Sequence, residues 1–202
     1  MSLDSPADHS QRLLPTTLED LLAGWLRRGI GLAVLAGTGA IWLALLTWSV
    51  HDPSLSHATS DQPRNLLGTP GALISDLLLQ AIGIASIFML IPLVVGGLQM
   101  MLDERVARLR SRTLLMMIAV PSLAAGLSAL PSATNWPLVS GYGGVLGDML
   151  FDITSASIAI LVSHGAGTAT GLGYFILGFW ALVRSLGLDR RQLFTMIWQA
   201  GR

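Results

Sequence analysis

The sequence predicts an all-α integral membrane protein: four transmembrane helices, an interfacial or re-entrant helix before the last span, and both termini in the cytoplasm. Three observations predict it. The 202 residues are 52% hydrophobic and 12% charged, with a mean hydropathy of +0.63, more apolar than the core of a soluble domain requires. The apolar residues gather into uncharged runs of bilayer length. The arginines gather in the segments that a four-span path puts on one side.

Composition also removes chemistry. All twelve basic residues are arginine, so no lysine is present for a Walker A phosphate loop, a Schiff base or a lysine general base. Cysteine is absent, which removes thiolate catalysis, cysteine metal sites and disulfides and leaves the redox compartment undetermined.

Residues 1–16 carry Asp, Ser, His, Pro and Arg with little apolar periodicity and read as a disordered cytoplasmic tail. Thr16 and Thr17 each precede an acid by three residues, Glu19 and Asp20, a capping-box pattern, and Leu18, Leu21, Leu22, Trp25 and Leu26 follow at helical spacing. This turn is expected in the membrane interface, with Arg27 and Arg28 at the cytoplasmic edge. Residues 30–50 carry no charge over about 31 Å of helix. They form the first span, too long and too closely followed by further spans for a cleaved signal peptide. Gly29, Ala33 and Gly37, with Ala36, Ala40 and Ala44, put small residues on two adjacent ridges suited to close helix approach.

The stretch 51–70 is the first outer loop. Asp52-Pro53-Ser54 suits a turn ending a helix, because proline fixes φ, lacks an N–H and pushes the preceding residue out of helical space. Thr69-Pro70 predicts an N-cap followed by proline at the first helical position. Asp76 then falls within two turns of the helix start, where the dipole favours a carboxylate. The second span is expected over 77–102 with a packing kink at Pro92 and the pair Gly96-Gly97. Asp103 to Arg112 is a short loop with four arginines, expected in the cytoplasm. Residues 113–130 form a third span of about 27 Å.

Residues 131–167 form the second outer loop. Continuous helix from Val145 to Arg184 would run roughly 60 Å, so a break is placed at Ser163-His164-Gly165-Ala166-Gly167. This leaves an interfacial or re-entrant helix over 145–162 and a fourth span over 168–186. A fifth span would move Arg184, Arg190, Arg191 and Arg202 across the membrane, against the positive-inside rule, whereas four spans leave only Arg64 outside. Residues 188–202 place Leu193, Phe194, Ile197 and Trp198 opposite Arg190 and Arg191, an interfacial cytoplasmic helix. Trp48, Trp136 and Tyr142 fit an outer aromatic belt.

An internal repeat aligns Gly71-Ala-Leu-Ile-Ser-Asp76-Leu-Leu78 with Gly143-Gly144-Val-Leu-Gly-Asp148-Met-Leu150 without gaps. Its physical reading is two helical hairpins, each returning through a glycine-rich turn with an aspartate near a helix start. Chance similarity of apolar segments competes with it. Asp76 and Asp148 are the candidates for an ion or proton site, against helix capping at the interface. His164 fits a solvated turn better than a proton relay. Gly141 to Gly147 imitates a nucleotide loop without the preceding strand that such a loop needs. Gly167 to Gly171 is a GxxxG pair suited to helix packing. No catalytic residue, cofactor or metal site is expected.

Asp52-Pro53-Ser54, Asn65-Leu-Leu-Gly68-Thr-Pro-Gly71-Ala, Asp76-Leu with Gly83, and Gly143-Gly144-Val-Leu-Gly147 together resemble, in order and spacing, the N-terminal four-helix membrane domain of FtsK-type (FtsK/SpoIIIE) bacterial DNA translocases. The resemblance runs from about Gly29 to Gly187. It implies an oligomeric anchor at the division septum of the inner membrane, contacting the bilayer and other division-site membrane proteins. In that family a linker and a hexameric ATPase motor that pumps DNA during chromosome segregation normally follow. Here the chain reads as stopping at Arg202 without them, so no direct ATP or nucleic-acid binding and no enzymatic activity are expected of this segment. Asp52, Pro53, Asn65, Gly68, Gly71, Asp76, Gly143, Gly144 and Asp148 are the candidate partner-contact or structural residues. The alternative is a small ion or solute transporter or channel subunit using Asp76 and Asp148; an intramembrane enzyme lacks a recognisable nucleophile.

Overall fold

The computed structural model describes residues 16–54, 59, 62–102, 108–134, 136–160 and 164–187. The expected tail over 1–15, the stretch 103–107 of the arginine loop and the interfacial helix over 188–202 lie outside them, as do the side chains of the two capping threonines. Seven helices are present among the described residues: α1 (Thr16–Leu46), α2 (Gly68–Ile82), α3 (Ala85–Met89), α4 (Ile91–Met101), α5 (Leu109–Ser128), α6 (Gly144–Ala159) and α7 (Ala166–Ser185). Three of them contain stretches long and apolar enough to cross a membrane: Leu18–Leu46, Leu109–Ser128 and Ala166–Ser185. Gly68–Ile82 and Ala85–Met101 qualify only as a pair bent by 106°.

That bend corrects the expected second span. Residues 77–102 are not one helix, because Gly83 takes φ +59°, a left-handed conformation that only glycine adopts without cost. The chain turns there, before Pro92 is reached. Pro92 follows a second interruption at Leu90 and sits in the first turn of α4, where its missing N–H costs nothing. Gly96 and Gly97 lie in uninterrupted helix. What remains after the bend, Ala85 to Met101, is about 25 Å long.

The helices form two pairs. α1 lies along α4, and α5 along α7; α2, α3, α5 and α6 join the pairs. Glycine permits the close approaches. A Cβ on Gly31 would stand 2.7 Å from the Gly97 carbonyl oxygen and 2.8 Å from the Met101 nitrogen, so the α1–α4 crossing runs through Gly31. The ridge expected from Gly29 and Gly37 does not make it, since neither has anything within 4 Å of a Cβ position. Gly126 and Gly178 do the same work between α5 and α7, where added Cβ atoms would stand 2.9 Å from the Phe175 nitrogen and 2.7 Å from the Leu123 nitrogen. Gly171 backs onto Ala129.

The core is correspondingly built from small residues. One cluster joins Ala85, Ala119, Leu123, Ala124, Ala181 and Leu182; a second joins Leu45, Leu79 and the fully buried Leu90, under Trp42 and Trp48. Large apolar side chains such as Leu32, Met117, Leu172, Ile176 and Trp180 face outward. This inversion suits a chain whose solvent is lipid, where packing of small residues rather than burial of large ones draws helices together.

Gly31 packs at the level of Met100 and Met101, the last turn of α4. Arg112 at the start of α5 reaches the Gly187 carbonyl beyond α7. These define one end of the bundle, here the arginine end. α2, α6 and the loops before them form the opposite end.

Candidate functional site

The sequence-singled residues of the first loop converge on the end of α1. Thr47, Trp48 and Asp52 donate their N–H groups to the carbonyls of Leu43, Leu45 and Ser49, closing the chain into turns. Asp52 is thereby carried inward and is 2% exposed. Its carboxylate accepts from the Arg64 N–H at 2.7 Å and the Asn65 N–H at 3.0 Å. Asn65, 4% exposed, donates from Nδ2 to the Ala44 carbonyl at 2.8 Å and accepts from the Leu67 N–H at 3.0 Å. Thr47 Oγ1 donates to the Leu43 carbonyl and accepts from the Leu66 N–H. The two ends of the loop are thus stitched together by an aspartate that accepts twice and an asparagine that bridges.

The same asparagine starts α2. The expected N-cap at Thr69 is displaced: α2 begins at Gly68, and Asn65 closes its entry through Oδ1 to the Leu67 N–H and its carbonyl to the Gly68 N–H at 2.8 Å. This is asparagine's ordinary turn chemistry. Pro70 remains in the first turn. Gly71 has no room for a side chain, because a Cβ there would overlap Asn65 Oδ1 and the Leu67 side chain. Pro53 is half-buried beside the clasp and Gly68 takes φ +65°.

Asp76 lies beyond the second turn of α2 rather than at its start. It is 5% exposed and accepts from Gln80 Nε2 at 2.9 Å. Ser75 beside it is fully buried and donates to the Gly71 carbonyl at 2.8 Å.

The second loop is tied by different means. Trp136 donates from Nε1 to the Ser140 carbonyl at 2.8 Å, and its ring meets Tyr142 edge-on with centroids 4.7 Å apart. Tyr142 accepts the Ala133 N–H on its hydroxyl. Asp148, one turn into α6, accepts the Gly141 N–H at 2.9 Å. Gly143 and Gly147 back onto the Ala124 carbonyl of α5, where a Cβ has no space.

The two loops meet at a backbone crossing. The Ile84 N–H, just past the bend, donates to the Tyr142 carbonyl at 2.9 Å. Gly83 and Gly144 face each other there, with φ +59° and +69°. The structure therefore brings Asp52, Asn65, Gly68 and Gly71 into one assembly and Gly143, Gly144 and Asp148 into a second, with Gly83 joining them. Asp76 and Asp148 are held by separate partners. His164 is exposed at the break before α7, where Gly165 takes φ +79°.

The side chains of Asp52, Asn65, Trp136, Tyr142 and Asp148 all meet backbone groups. Among the described residues no buried side-chain nitrogen or oxygen lacks a partner, as burial demands. Thr47, Gln80 and Tyr142 were not singled out as site residues. For Gln80 a sequence signal exists, its i+4 spacing from Asp76; for Thr47 and Tyr142 the bonds are long-range or loop-dependent and leave none.

Comparison with known proteins follows this architecture. A family described as the 4TM region of DNA translocase FtsK/SpoIIIE matches residues 25–194. DNA translocase FtsK of Agrobacterium fabrum is 32% identical over 158 residues, 78% of this chain and 18% of the relative. The protein of that name from Brucella suis is 44% identical over 124 residues, 61% of this chain and 14% of the relative. That of Bradyrhizobium diazoefficiens is 41% identical over 141 residues, 68% and 17%. The chain thus spans less than a fifth of these relatives' length. No solved structure matches it. The loops that carry the sequence resemblance are the loops that build the clasp and the crossing, and the chain belongs to the family of the four-transmembrane region of FtsK/SpoIIIE DNA translocases.

Proposed function

We propose that this segment is the membrane anchor and division-site scaffold of an FtsK-like DNA translocase, acting where cell division is coupled to chromosome segregation. The family match over residues 25–194 carries the reading. In it α1, the bent α2–α4 unit, α5 and α7 make four spans in the bacterial inner membrane, and the arginine end faces the cytoplasm. Arg27, Arg28, Arg108, Arg110, Arg112 and Arg184 all lie towards that end, which supports this orientation.

The stitched loops then stand on the far side as a shaped surface. Their inward polar groups are consumed in backbone bonds, while Leu66, Pro70 and Val139 are exposed. That surface is offered to other division-site membrane proteins, and copies of the chain associate beside one another in the bilayer. The segment is not an enzyme and binds neither ATP nor nucleic acid directly; hydrolysis and DNA movement belong to a motor elsewhere in such a protein. A transport role for Asp76 and Asp148 is disfavoured, because each carboxylate already accepts a hydrogen bond within the protein.

Imaging residues 1–202 fused to a fluorophore in dividing bacteria tests this. A septal band that fades in a Leu66→Ser, Val139→Ser variant supports the anchor and its surface. Uniform membrane fluorescence for both overturns septal anchoring.

A further inference from the structure

The two helix pairs separate towards the arginine end. They join through α2, α3, α5 and α6, whereas α4 makes no comparable contact with α5 or α7. A half-open cavity of about 160 Å³ occupies the resulting wedge. Val34, Leu93, Gly96, Met100 and Met116 give it apolar walls, and Arg112 lines it as well.

Among the described residues, Arg112 is the one charged residue on that lining. It donates from one terminal nitrogen to Gln99 Oε1 at 2.7 Å and from the other to the Gly187 carbonyl at 3.3 Å. Both acceptors are neutral. They fix the guanidinium without balancing its charge, and they use two of its five N–H donors. A positioned cation with donors to spare, at the mouth of an apolar cavity, is matched by a molecule that is anionic at one end and hydrocarbon at the other. In a bilayer that molecule is the solvent itself.

We propose that the wedge holds an anionic phospholipid, its phosphate on Arg112 and a stretch of acyl chain in the cavity. The lipid braces the α1–α4 pair against the α5–α7 pair where the protein's own contacts are sparse. The inference requires that the chain lie in a bilayer, not that the arginine end face the cytoplasm, so it stands or falls apart from the septal reading.

Native mass spectrometry of the chain released from nanodiscs of phosphatidylcholine with increasing phosphatidylglycerol tests it, alongside thermal unfolding in the same discs. The expected result is retention of one phosphatidylglycerol per protomer, preferred over phosphatidylcholine by about tenfold, because phosphatidylcholine has the same phosphate but brings a choline cation towards Arg112 that offsets the attraction. The melting temperature should rise with phosphatidylglycerol content. Gly96→Leu puts bulk into the cavity from a position where a Cβ has open space; it should abolish retention while the melting temperature in lipid-free detergent is maintained. Arg112→Gln should remove the headgroup preference. Equal retention of both lipids, an undiminished preference in Gly96→Leu, or the same stabilisation by inorganic phosphate alone would overturn the proposal.

Discussion

Gly83 and Gly144 touch backbone to backbone. A Cβ on Gly144 would stand 2.6 Å from the Gly83 nitrogen, and one on Gly83 would stand 2.7 Å from the Gly144 nitrogen. Both residues have positive φ. One bends the chain between α2 and α3, the other starts α6, and the Ile84 N–H to Tyr142 carbonyl bond locks the contact.

Alanine at either glycine should therefore be costly twice over, through overlap with backbone that cannot yield and through the left-handed conformation. Together these are worth about 3 kcal/mol. Thermal unfolding in detergent should show a large loss for Gly83→Ala and Gly144→Ala. Gly37→Ala and Gly173→Ala, with open space at the Cβ position, should stay within about 0.5 kcal/mol of the parent.

Removing the Asp52 carboxylate leaves the Arg64 and Asn65 N–H groups without their acceptor. Asp52→Ala should cost about 2–4 kcal/mol, and Asp52→Asn less, since one oxygen remains. Because Asn65 belongs to the same clasp, Asp52→Ala and Asn65→Ala should fall short of additivity by about 1 kcal/mol in a double-mutant cycle. Strict additivity would mean that the two residues do not act as one unit.

Asparagine keeps an oxygen acceptor for Gln80 at position 76 and for the Gly141 N–H at position 148. Asp76→Asn and Asp148→Asn should accordingly fold and reach the membrane at parental levels, and septal fluorescence should persist. Complete loss of function with normal folding and membrane insertion would instead revive the ion-site reading.

The chain contains no cysteine, so single cysteines report topology cleanly. Val139→Cys, exposed on the loop end, should react with a membrane-impermeant maleimide in intact spheroplasts. Arg110→Cys should react only after permeabilisation. The reverse pattern would invert the proposed orientation.

The helical membrane character of the chain was legible in its composition and apolar runs, because a bilayer imposes a length and a polarity that no later packing can relax. α5, α6 and α7 overlap the runs expected over 113–130, 145–162 and 168–186, whereas α1 stops at Leu46, short of the expected Val50; Gly165, within the expected break, directly precedes α7. The α2–α4 segment was misread because proline is the louder signal in a sequence. A glycine permits a bend without requiring one, and here the contacts that go with the bend are with Tyr142 and Gly144, far along the chain. For the same reason Gly31 could not be told from Gly29 or Gly37.

Among the site residues, Asp52, Asn65, Gly71, Gly143 and Gly144 stood out in the sequence as individual text among apolar helices, but their roles did not. Whether Asp52 faces outward or folds under to accept two backbone N–H groups depends on where residues 64 and 65 return in space. By itself, then, the sequence determined the solvent, the helices and most of their limits, all properties of local runs. Only the tertiary structure decided that the second helix breaks at Gly83, that the loop carboxylates turn inward and that the helix pairs part around Arg112. Each of those depends on a contact between segments far apart in the chain, and no local pattern records it.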